Sequence, residues 1–444
     1  MRIDKGYWGN WITEGWSLDQ VTISEHDRTI LRDLAKKFRE YCERPEEKIK
    51  IQLWKDHNDL KPTRPLILVD MENGWNEVVR FDRDIQCEGY MAQDWEMWLR
   101  KEIIYAEKIK DDKPLTPVFY LPHRAINTEW IIGTNNVVVD EGDDENAKNA
   151  AYTWVPPLKD LDEDEFEELD VEATIPDPVV KVDEEATNAY FELAKEVFDG
   201  ILEVRMRTWW FWSPHMVLAY SNYRGMDTMM YDFYDAPEKV HEIFDRLTTG
   251  YIKKLKFLEE QNLLYNNTDN TFVGSGGLGW TDELGTDPDH VTLKTMWGLC
   301  EAQELGAVDP DLYDEFIYPY FSRVAELFGR TCYGCCEGTD PMWEKIKTIP
   351  NLRRVSVSQW TDMELMSDYL QKDFVFSYKA NPSSVTVEPM DEDVVRRELR
   401  RMFEKTVQNN VECVLKDLHT VANNPDKVYR WVEIAREELN RVYK

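Results

Sequence analysis

The segment Thr331-Cys-Tyr-Gly-Cys-Cys336 belongs to a series of eight short apolar runs that decides the fold class of this 444-residue chain. Each run is rich in apolar or aromatic residues and is bounded by turn-forming or charged residues, as buried strands are. The runs lie at Pro65–Met71, Thr116–Leu121, Val204–Trp212, Leu263–Asn267, Thr331–Cys336, Arg353–Ser358, Asp373–Tyr378 and Val411–Lys416.

Stretches with apolar residues at helical spacing precede and separate these runs. They include His26–Cys42, Asp94–Lys110, Pro237–Gln261, Pro310–Phe328 and Asp391–Asn409. Strands that alternate with helices form parallel βα units with right-handed crossovers, and eight such units close a barrel. The sequence therefore predicts the α/β class and a single (β/α)8 TIM barrel over residues 65–444, with an N-terminal helical cap over residues 1–64.

The charge of the chain is strongly acidic and unevenly spread. Acidic residues outnumber basic ones by 86 to 53, which gives a formal net charge of −33. Nucleic acids and anionic membranes bind basic surfaces, so both are excluded as main partners. Residues 140–172 hold 14 acidic residues and two lysines, a net charge of −12. We interpret this stretch as a solvated insertion in the barrel, with a docking surface for a basic partner as the alternative.

The N-terminal residues and the cysteines predict a cytoplasmic protein. The first eight residues, Met1-Arg-Ile-Asp-Lys-Gly-Tyr-Trp8, contain no apolar stretch of the kind that a secretory signal has. No run approaches the length of apolar residues that spans a membrane. The seven cysteines are odd in number and mostly scattered, which is typical of reduced thiols.

Polar and sulfur-containing residues concentrate where the predicted strands end, which is the face where TIM barrels carry their active sites. Glu72, Glu337 and Asp417 are the candidate catalytic carboxyl groups. The candidate substrate-binding residues include several tryptophans that would line an apolar pocket. They are Trp75, His123, Trp212, Asn266, Trp280, Trp360 and Lys379.

The cluster Cys332-Tyr-Gly-Cys-Cys-Glu337 offers thiol and carboxyl groups, which are ligands that zinc accepts. Adjacent residues of a strand point to opposite faces, so we expect only one of Cys335 and Cys336 to face a given site. The predicted metal ligands are Cys335, Cys336, Glu337 and His419, with Glu72 or Cys413 as further candidates for a fourth ligand.

The same residues also fit ordinary structural roles. The cysteines fit ordinary buried positions in a strand equally well. Asp417 fits an orienting partner for the His419 imidazole, and it fits a structural ion pair with Lys416 equally well.

The segment Gly274-Ser-Gly-Gly-Leu-Gly279 has the spacing of a dinucleotide-binding fingerprint. The pattern that follows is not helical, because Gly285 and Pro288 would break a helix there. We interpret the segment as a flexible loop over the mouth of the barrel.

Five motifs are specific in combination: Trp54-Lys-Asp-His-Asn58 before Arg64-Pro65, Tyr333-Gly-Cys-Cys-Glu337, Asn351-Leu-Arg-Arg-Val-Ser-Val-Ser-Gln-Trp360, Lys379-Ala-Asn-Pro382 and Lys416-Asp-Leu-His-Thr420. Together they resemble the uroporphyrinogen decarboxylase superfamily, and more narrowly its branch from anaerobes that is related to cobalamin-dependent methyltransferases. The similarity covers nearly the whole chain from about Asp27 onward, apart from the acidic stretch. The resemblance implies the same (β/α)8 barrel.

The superfamily that the chain resembles has two chemistries. Tetrapyrrole decarboxylation there uses an N-terminal arginine-rich motif, whereas the first predicted strand here carries Asp70, Glu72 and Glu77. Cobalamin-linked methyl transfer uses a zinc held by a His-x-Cys pair and a later cysteine. Tyr333-Gly-Cys335 stands where that pair would be, so the resemblance carries Cys335 over as a ligand but supplies no histidine.

The resemblance leads us to expect a demethylase-type enzyme. It would move a methyl group between a methylated small molecule, such as an aromatic methyl ether, and a corrinoid protein, with zinc and the partner's corrinoid as cofactors. One alternative is a decarboxylase in which Asp70 or Glu72 stabilises a protonated intermediate. The other is a barrel that binds a corrinoid or tetrapyrrole without catalysis. A homodimer is the default expectation for such a barrel.

Overall fold

Short buried strands and amphipathic helices alternate along the computed structural model, which describes residues 18–128, 135–138, 152–285, 287, 290–306 and 308–443. The strands are β1 (Leu66–Val69), β2 (Val118–Leu121), β3 (Ala125–Asn127), β4 (Asn135–Val138), β5 (Tyr152–Val155), β6 (Val180–Val182), β7 (Glu203–Met206), β8 (Trp297–Cys300), β9 (Arg330–Tyr333), β10 (Leu352–Val357), β11 (Val375–Ala380) and β12 (Asn410–Leu415). The helices are α1 (Glu25–Cys42), α2 (Pro45–Asn58), α3 (Trp75–Val78), α4 (Tyr90–Ile104), α5 (Glu163–Glu167), α6 (Val171–Thr174), α7 (Glu184–Phe198), α8 (Met216–Arg224), α9 (Met226–Asp235), α10 (Pro237–Glu260), α11 (Pro310–Phe316), α12 (Tyr318–Ala325), α13 (Trp343–Ile346), α14 (Met363–Leu370), α15 (Ser383–Thr386), α16 (Glu392–Lys405) and α17 (Asp426–Val442).

Six strands form one parallel sheet in the order β1-β12-β11-β10-β9-β8. A second parallel pair consists of β2 and β7, and two short antiparallel pairs join β3 to β6 and β4 to β5. The predicted α/β class is confirmed. The predicted closed ring of eight strands is not formed by the ladders of the described residues, which leave the β2–β7 pair separate from the six-stranded sheet.

Alternate residues of β12 face two different environments, as the pleat of a strand requires. Cys413 and Leu415 belong to the large hydrophobic core that includes the helices, whereas Val414 belongs to a small cluster with Leu66 and Leu278. Both faces of the sheet are therefore buried, which explains why its strands are almost continuously apolar.

Helix positions follow the apolar spacing closely. The predictions for α1 and α10 agree with the structure to within one residue at each end. The single helix predicted over Pro310–Phe328 is wrong, since two helices, α11 and α12, occupy this range. Pro319 lies in the first turn of α12 and cannot donate the backbone hydrogen bond that a continuous helix would need.

The fourth predicted strand, Leu263–Asn267, is also wrong, because these residues form no ladder. The side-chain amide of Asn267 takes the place of a neighbouring strand: its Nδ2 donates to the carbonyl of Trp297 at 2.9 Å, and its Oδ1 accepts the Trp297 N–H at 3.0 Å. The strand beside β9 is instead β8, which is short and contains Gly298, a residue that strand patterns disfavour.

The glycine-rich segment Gly274–Gly279 is fully buried against the sheet, so the prediction of a flexible loop over the mouth is wrong. A Cβ at Gly274 would lie 2.8 Å from Cβ of Cys332, and a Cβ at Gly277 would lie 2.5 Å from Oε1 of Glu412. Both glycines also have positive φ angles, 67° and 90°. The glycines are therefore needed for close approach to the strands.

Residues 140–151 of the predicted acidic insertion lie outside the described residues, and residues 152–172 hold β5, α5 and α6. Phe166 is buried with the Arg224 guanidinium 4.0 Å from its ring centroid, and Lys239 Nζ donates to the Leu169 carbonyl at 2.8 Å. This part of the stretch therefore packs on α8 and α10. Within the described residues, every helix is too short or too polar to cross a membrane.

Substitution of Gly277 tests how tightly the segment is packed. We expect Gly277→Ala to lower the free energy of unfolding by roughly 2–6 kcal/mol, because it combines a strained positive φ with crowding of a buried carboxylate. Gly200→Ala is the matched control: its φ is 73°, but nothing lies within 4 Å of an added Cβ, so it should lose only about 1–2 kcal/mol. Urea unfolding measures both, and equal losses would contradict the close packing at Gly277.

Candidate functional site

The carboxyl ends of β1 and β12 bring three ionisable side chains together. These strands are neighbours, so the residues that follow Val69 and Leu415 leave the sheet side by side. The Asp417 N–H donates to Glu72 Oε1 at 3.1 Å. Lys416 Nζ lies 2.6 Å from Asp417 Oδ1 and 3.9 Å from Glu72 Oε1.

Glu72 and Asp417 both adopt left-handed backbone conformations, with φ angles of 42° and 59°. Such angles are uncommon for residues other than glycine and persist where the surrounding structure enforces them. The fold therefore holds both carboxyl groups in place against a local preference for other conformations.

Burial, followed by the neighbouring Asp70, raises the pKa of Glu72 to about 8. Burial of Lys416 opposes its charge, yet Cys335, Asp417 and Glu72 together raise the pKa of Lys416 above its ordinary value. At neutral pH the Glu72 carboxyl is therefore mostly protonated beside a charged ammonium group.

Cys335 and Cys336 face each other near these charges. Their Sγ atoms are 3.5 Å apart, and Ser275 Oγ donates to Cys335 Sγ at 3.2 Å. The expectation that the two thiols point to opposite faces is wrong, because β9 ends at Tyr333 and Gly334 then turns the chain with a φ of 89°. The alternation of a pleated strand does not apply to residues in this bend.

The two thiols differ in their surroundings. Cys335 is buried and Cys336 is partly exposed. The contact with Cys336, together with burial, raises the pKa of Cys335, and the same contact lowers the pKa of Cys336. We refer to Glu72, Lys416, Asp417, Cys335 and Cys336 as the strand-end cluster.

The four predicted zinc ligands do not come together as a shell. Glu337 Oε2 accepts the Cys335 N–H at 2.8 Å and Oε1 accepts the Ala302 N–H at 3.0 Å, so backbone donors already occupy its carboxylate. Burial, followed by Glu301, raises the pKa of Glu337 to about 7. His419 is exposed, and its Nδ1 lies 3.4 Å from Nδ2 of Asn73.

Cys413, one of the two further candidates, belongs to the core on the opposite face of β12. Across the part of the chain that the structure describes, no three His, Cys, Asp or Glu side chains are grouped so that they could hold a metal ion. The predicted ligand set therefore does not fit this arrangement, and we derive no chemical step through zinc.

A buried ionic network lies below the strand-end cluster, and its centre is Glu412. Arg354 contacts both carboxylate oxygens of Glu412, with Nε 3.0 Å from Oε1 and Nη2 3.1 Å from Oε2. His57 Nε2 lies 3.2 Å from Oε2, and Ser377 Oγ donates to Oε1. Lys379 Nζ donates in turn to Ser377 Oγ.

These contacts fix the charges of the network. Burial alone would raise the pKa of Glu412, but Arg354 and His57 outweigh it and lower this pKa to about 2. Burial lowers the pKa of Lys379 to about 8, although Glu412 opposes the shift. Burial also lowers the pKa of His57. Glu412 is therefore a permanent buried anion that is paired mainly with Arg354.

A second acidic group follows β8 and was missed from the sequence together with that strand. Ser213 Oγ donates to Glu301 Oε1 at 2.7 Å. Burial, followed by Glu301, raises the pKa of Glu304 to about 8. The signal that could have revealed the group is the sequence Cys300-Glu-Ala-Gln-Glu304, which places two carboxyl groups directly after a buried apolar run.

Three predicted substrate-binding tryptophans occupy three different environments. Trp75 is buried in the large hydrophobic core, where its ring packs against Tyr105. The Trp280 carbonyl accepts the Asn58 side chain, which places Trp280 at the end of α2. Trp360 is 80% exposed on the surface after β10.

The other predicted binding residues are distributed over the connections. His123 bonds through its N–H and Nδ1 to Thr208 Oγ1, and burial lowers its pKa to about 4. The Asn266 side chain accepts hydrogen bonds from Thr268 within a turn. Trp212 lies beyond the end of β7, and its Nε1 donates to the Gly274 carbonyl at 3.1 Å, one residue before Ser275.

Comparisons with known proteins include a distant structural likeness. Neither a protein-family model nor a curated protein sequence matches the chain. A solved structure, a methyltransferase from Methanosarcina mazei, is similar over 89% of this chain and 98% of its own chain, with 11% sequence identity and a TM-score of 0.46. A likeness at this level does not indicate the activity of this chain.

Removal of the Glu412 charge tests the buried network. We expect Glu412→Gln to lower the free energy of unfolding by about 3–5 kcal/mol, because Arg354 is left buried without its anion. Glu364→Gln, which removes an exposed carboxylate that pairs with Arg401 and Lys405, should leave stability nearly unchanged. Chemical unfolding measures both. A Glu412→Gln protein as stable as the control would show that the network does not hold the interior together.

Proposed function

We propose that this chain is a methyltransferase that acts at the strand-end cluster on a small molecule methylated at a heteroatom. The observation that supports the proposal most directly is a carboxyl group with a raised pKa, Glu72, that lies 3.9 Å from the buried ammonium group of Lys416. Both residues follow neighbouring parallel strands, on the edge of the sheet where α/β proteins bind ligands.

The chemistry follows from what a heteroatom needs when it gives up a methyl group. The methyl group departs without the electron pair of its bond, so negative charge develops on the heteroatom. Glu72, mostly protonated at neutral pH, can donate its proton there and convert the heteroatom into a neutral leaving group. The resulting Glu72 carboxylate is stabilised by Lys416 and regains its proton from solvent.

The methyl acceptor in this proposal is a corrinoid that a partner protein carries, as the superfamily resemblance implies. An aromatic methyl ether suits the donor side best. The Trp212 ring is anchored by its hydrogen bond to Gly274, next to the Ser275 contact with Cys335, and is partly exposed, so it can add apolar surface to a site for an aromatic group. Zinc stays a prediction of the sequence, and the proton transfer described here does not depend on it.

Glu72→Gln tests the proton donor. We expect demethylation of an aromatic methyl ether by the full-length protein, with free cob(I)alamin as acceptor, to fall by about 100-fold or more, because the amide cannot donate an acidic proton. The loss of the cob(I)alamin absorption measures the rate. Glu398→Gln is the control, since Glu398 is an exposed carboxyl with a raised pKa on α16, away from the strand ends.

The pH dependence sharpens the same test. The wild-type rate should be constant below neutral pH and should fall as pH rises through about 8, where Glu72 loses its proton. A Glu72→Gln enzyme that keeps the wild-type rate and the same fall above pH 8 would remove Glu72 from the mechanism.

Decarboxylation is the second candidate, and Asp70 is the observation that favours it. Asp70 is 1% exposed beside Glu72, where a carboxylate would stabilise a protonated intermediate. Release of carbon dioxide from uroporphyrinogen, in the absence of any methyl transfer, would replace the proposed function by this one. Tight cobalamin binding without turnover would instead favour a binding protein.

A further inference from the structure

We infer that Cys335 and Cys336 form a reversible disulfide with each other, which makes the strand-end cluster a site of oxidative modification. The inference rests on the geometry of the two sulfur atoms and on their neighbours. Its effect on catalysis rests in addition on the proposed function.

The two sulfur atoms are already in contact. Their separation of 3.5 Å must shorten to about 2.05 Å for a covalent bond. Both residues lie in a bend rather than in a strand, between Gly334, with its positive φ, and Gly338. Adjacent Cα atoms lie about 3.8 Å apart, which is shorter than the roughly 4.4–6.8 Å of an ordinary disulfide, so this bond is strained and easily reduced. The bend is flanked by glycines and lies outside the ladders of the sheet, so it can distort without breaking them.

Polar groups lie close to the thiol pair. Ser275 donates its hydroxyl to Cys335 Sγ. The next residue, Gly276, lies against the side chain of Lys416, so a buried cation and a hydroxyl donor are both close to the thiol pair. Cys336 is partly exposed and can meet a reagent from solvent, whereas Cys335 is buried.

The exposure of the two cysteines sets the order of thiol–disulfide exchange with a small disulfide such as oxidised glutathione. The Cys336 thiolate attacks one sulfur of the reagent and releases one glutathione thiolate, which leaves a mixed disulfide on Cys336. Cys335 then loses its proton, attacks Sγ of Cys336 and releases the second glutathione. Two protein thiols are oxidised, one reagent disulfide is reduced to two thiols, and the balance is complete.

The disulfide would change the strand-end cluster directly. The Cys335 N–H donates to Glu337, and the Cys335 carbonyl accepts the Ser356 hydroxyl at 2.8 Å. Movement of this peptide therefore disturbs Glu337 as well as removing both thiols beside Lys416. We expect the oxidised protein to transfer methyl groups more slowly than the reduced protein.

The test counts thiols in the full-length protein. The protein is incubated with oxidised glutathione, denatured and alkylated with iodoacetamide, and intact and peptide masses are compared with a sample kept in dithiothreitol. We expect two fewer alkylated cysteines, and a peptide in which Cys335 and Cys336 carry no alkyl group and lack two hydrogen atoms. Dithiothreitol should restore both thiols. Cys336→Ser should abolish the loss, and Cys42→Ser, at a partly exposed cysteine on α1, should preserve it.

Three results would overturn the inference. They are a stable glutathione adduct on Cys336 with Cys335 still open to alkylation, full alkylation of both residues, and stoichiometric zinc that is lost in both Cys335→Ser and Cys336→Ser. Because the readout is thiol mass, failure of the methyl transfer assay leaves this test intact. Loss of the disulfide likewise leaves the Glu72 test intact.

Discussion

The buried ion pair between Arg354 and Glu412 constrains the rest of the structure. Both side chains are almost inaccessible to solvent, and each would be strongly unfavourable in that position alone. Arg354 also donates to the Asn58 side chain at 2.6 Å, and His57 contacts Glu412 directly. The pair therefore fixes the end of α2 against strands β10 and β12, whose contacting residues lie 296 and 355 positions later in the chain.

The strand-end cluster depends on the same column of residues. Glu412, Val414 and Lys416 share one face of the chain around β12, because successive residues of a strand alternate in direction. The glycine-rich segment runs along this column, with Gly277 against Glu412 and Gly276 against both Val414 and Lys416. The same face of the chain therefore carries both the buried anion, Glu412, and the ammonium group of Lys416 beside Glu72. The packing of the interior and the position of the strand-end cluster therefore depend on the same residues.

Apolar patterns predicted most of the architecture, and local backbone events account for the errors. Seven of the eight predicted strands overlap observed ones, since burial on both faces produces apolar runs that are easy to recognise. The pattern fails at the fourth predicted strand because the side chain of Asn267 bonds to the neighbouring strand in place of a backbone ladder. The pattern misses β8 because that strand contains Gly298. The thiol pair could not be foreseen because the positive φ of Gly334 ends the strand before Cys335. Glu72, Asp417 and the cysteines were found from strand ends, but Glu412 was not, since one charge in an apolar strand gives no hint of its partner.

The two groups of carboxyls respond to pH in opposite directions, which separates structure from reactivity. The folded-state pKa of Glu412 lies near 2, below its ordinary value, so its contribution to stability is present above that ordinary value and is lost only as pH falls toward 2. The pKa values of Glu72, Glu304 and Glu337 lie at about 7 to 8, so their contribution is complete in acid and is lost as pH rises through that range. Near neutral pH the interior pair is therefore fully charged and stabilising, while the strand ends hold protons that they can give up. A fold that keeps one carboxylate permanently ionised in its centre can keep others protonated at its edge, because each environment is set by a different balance of burial and paired charge.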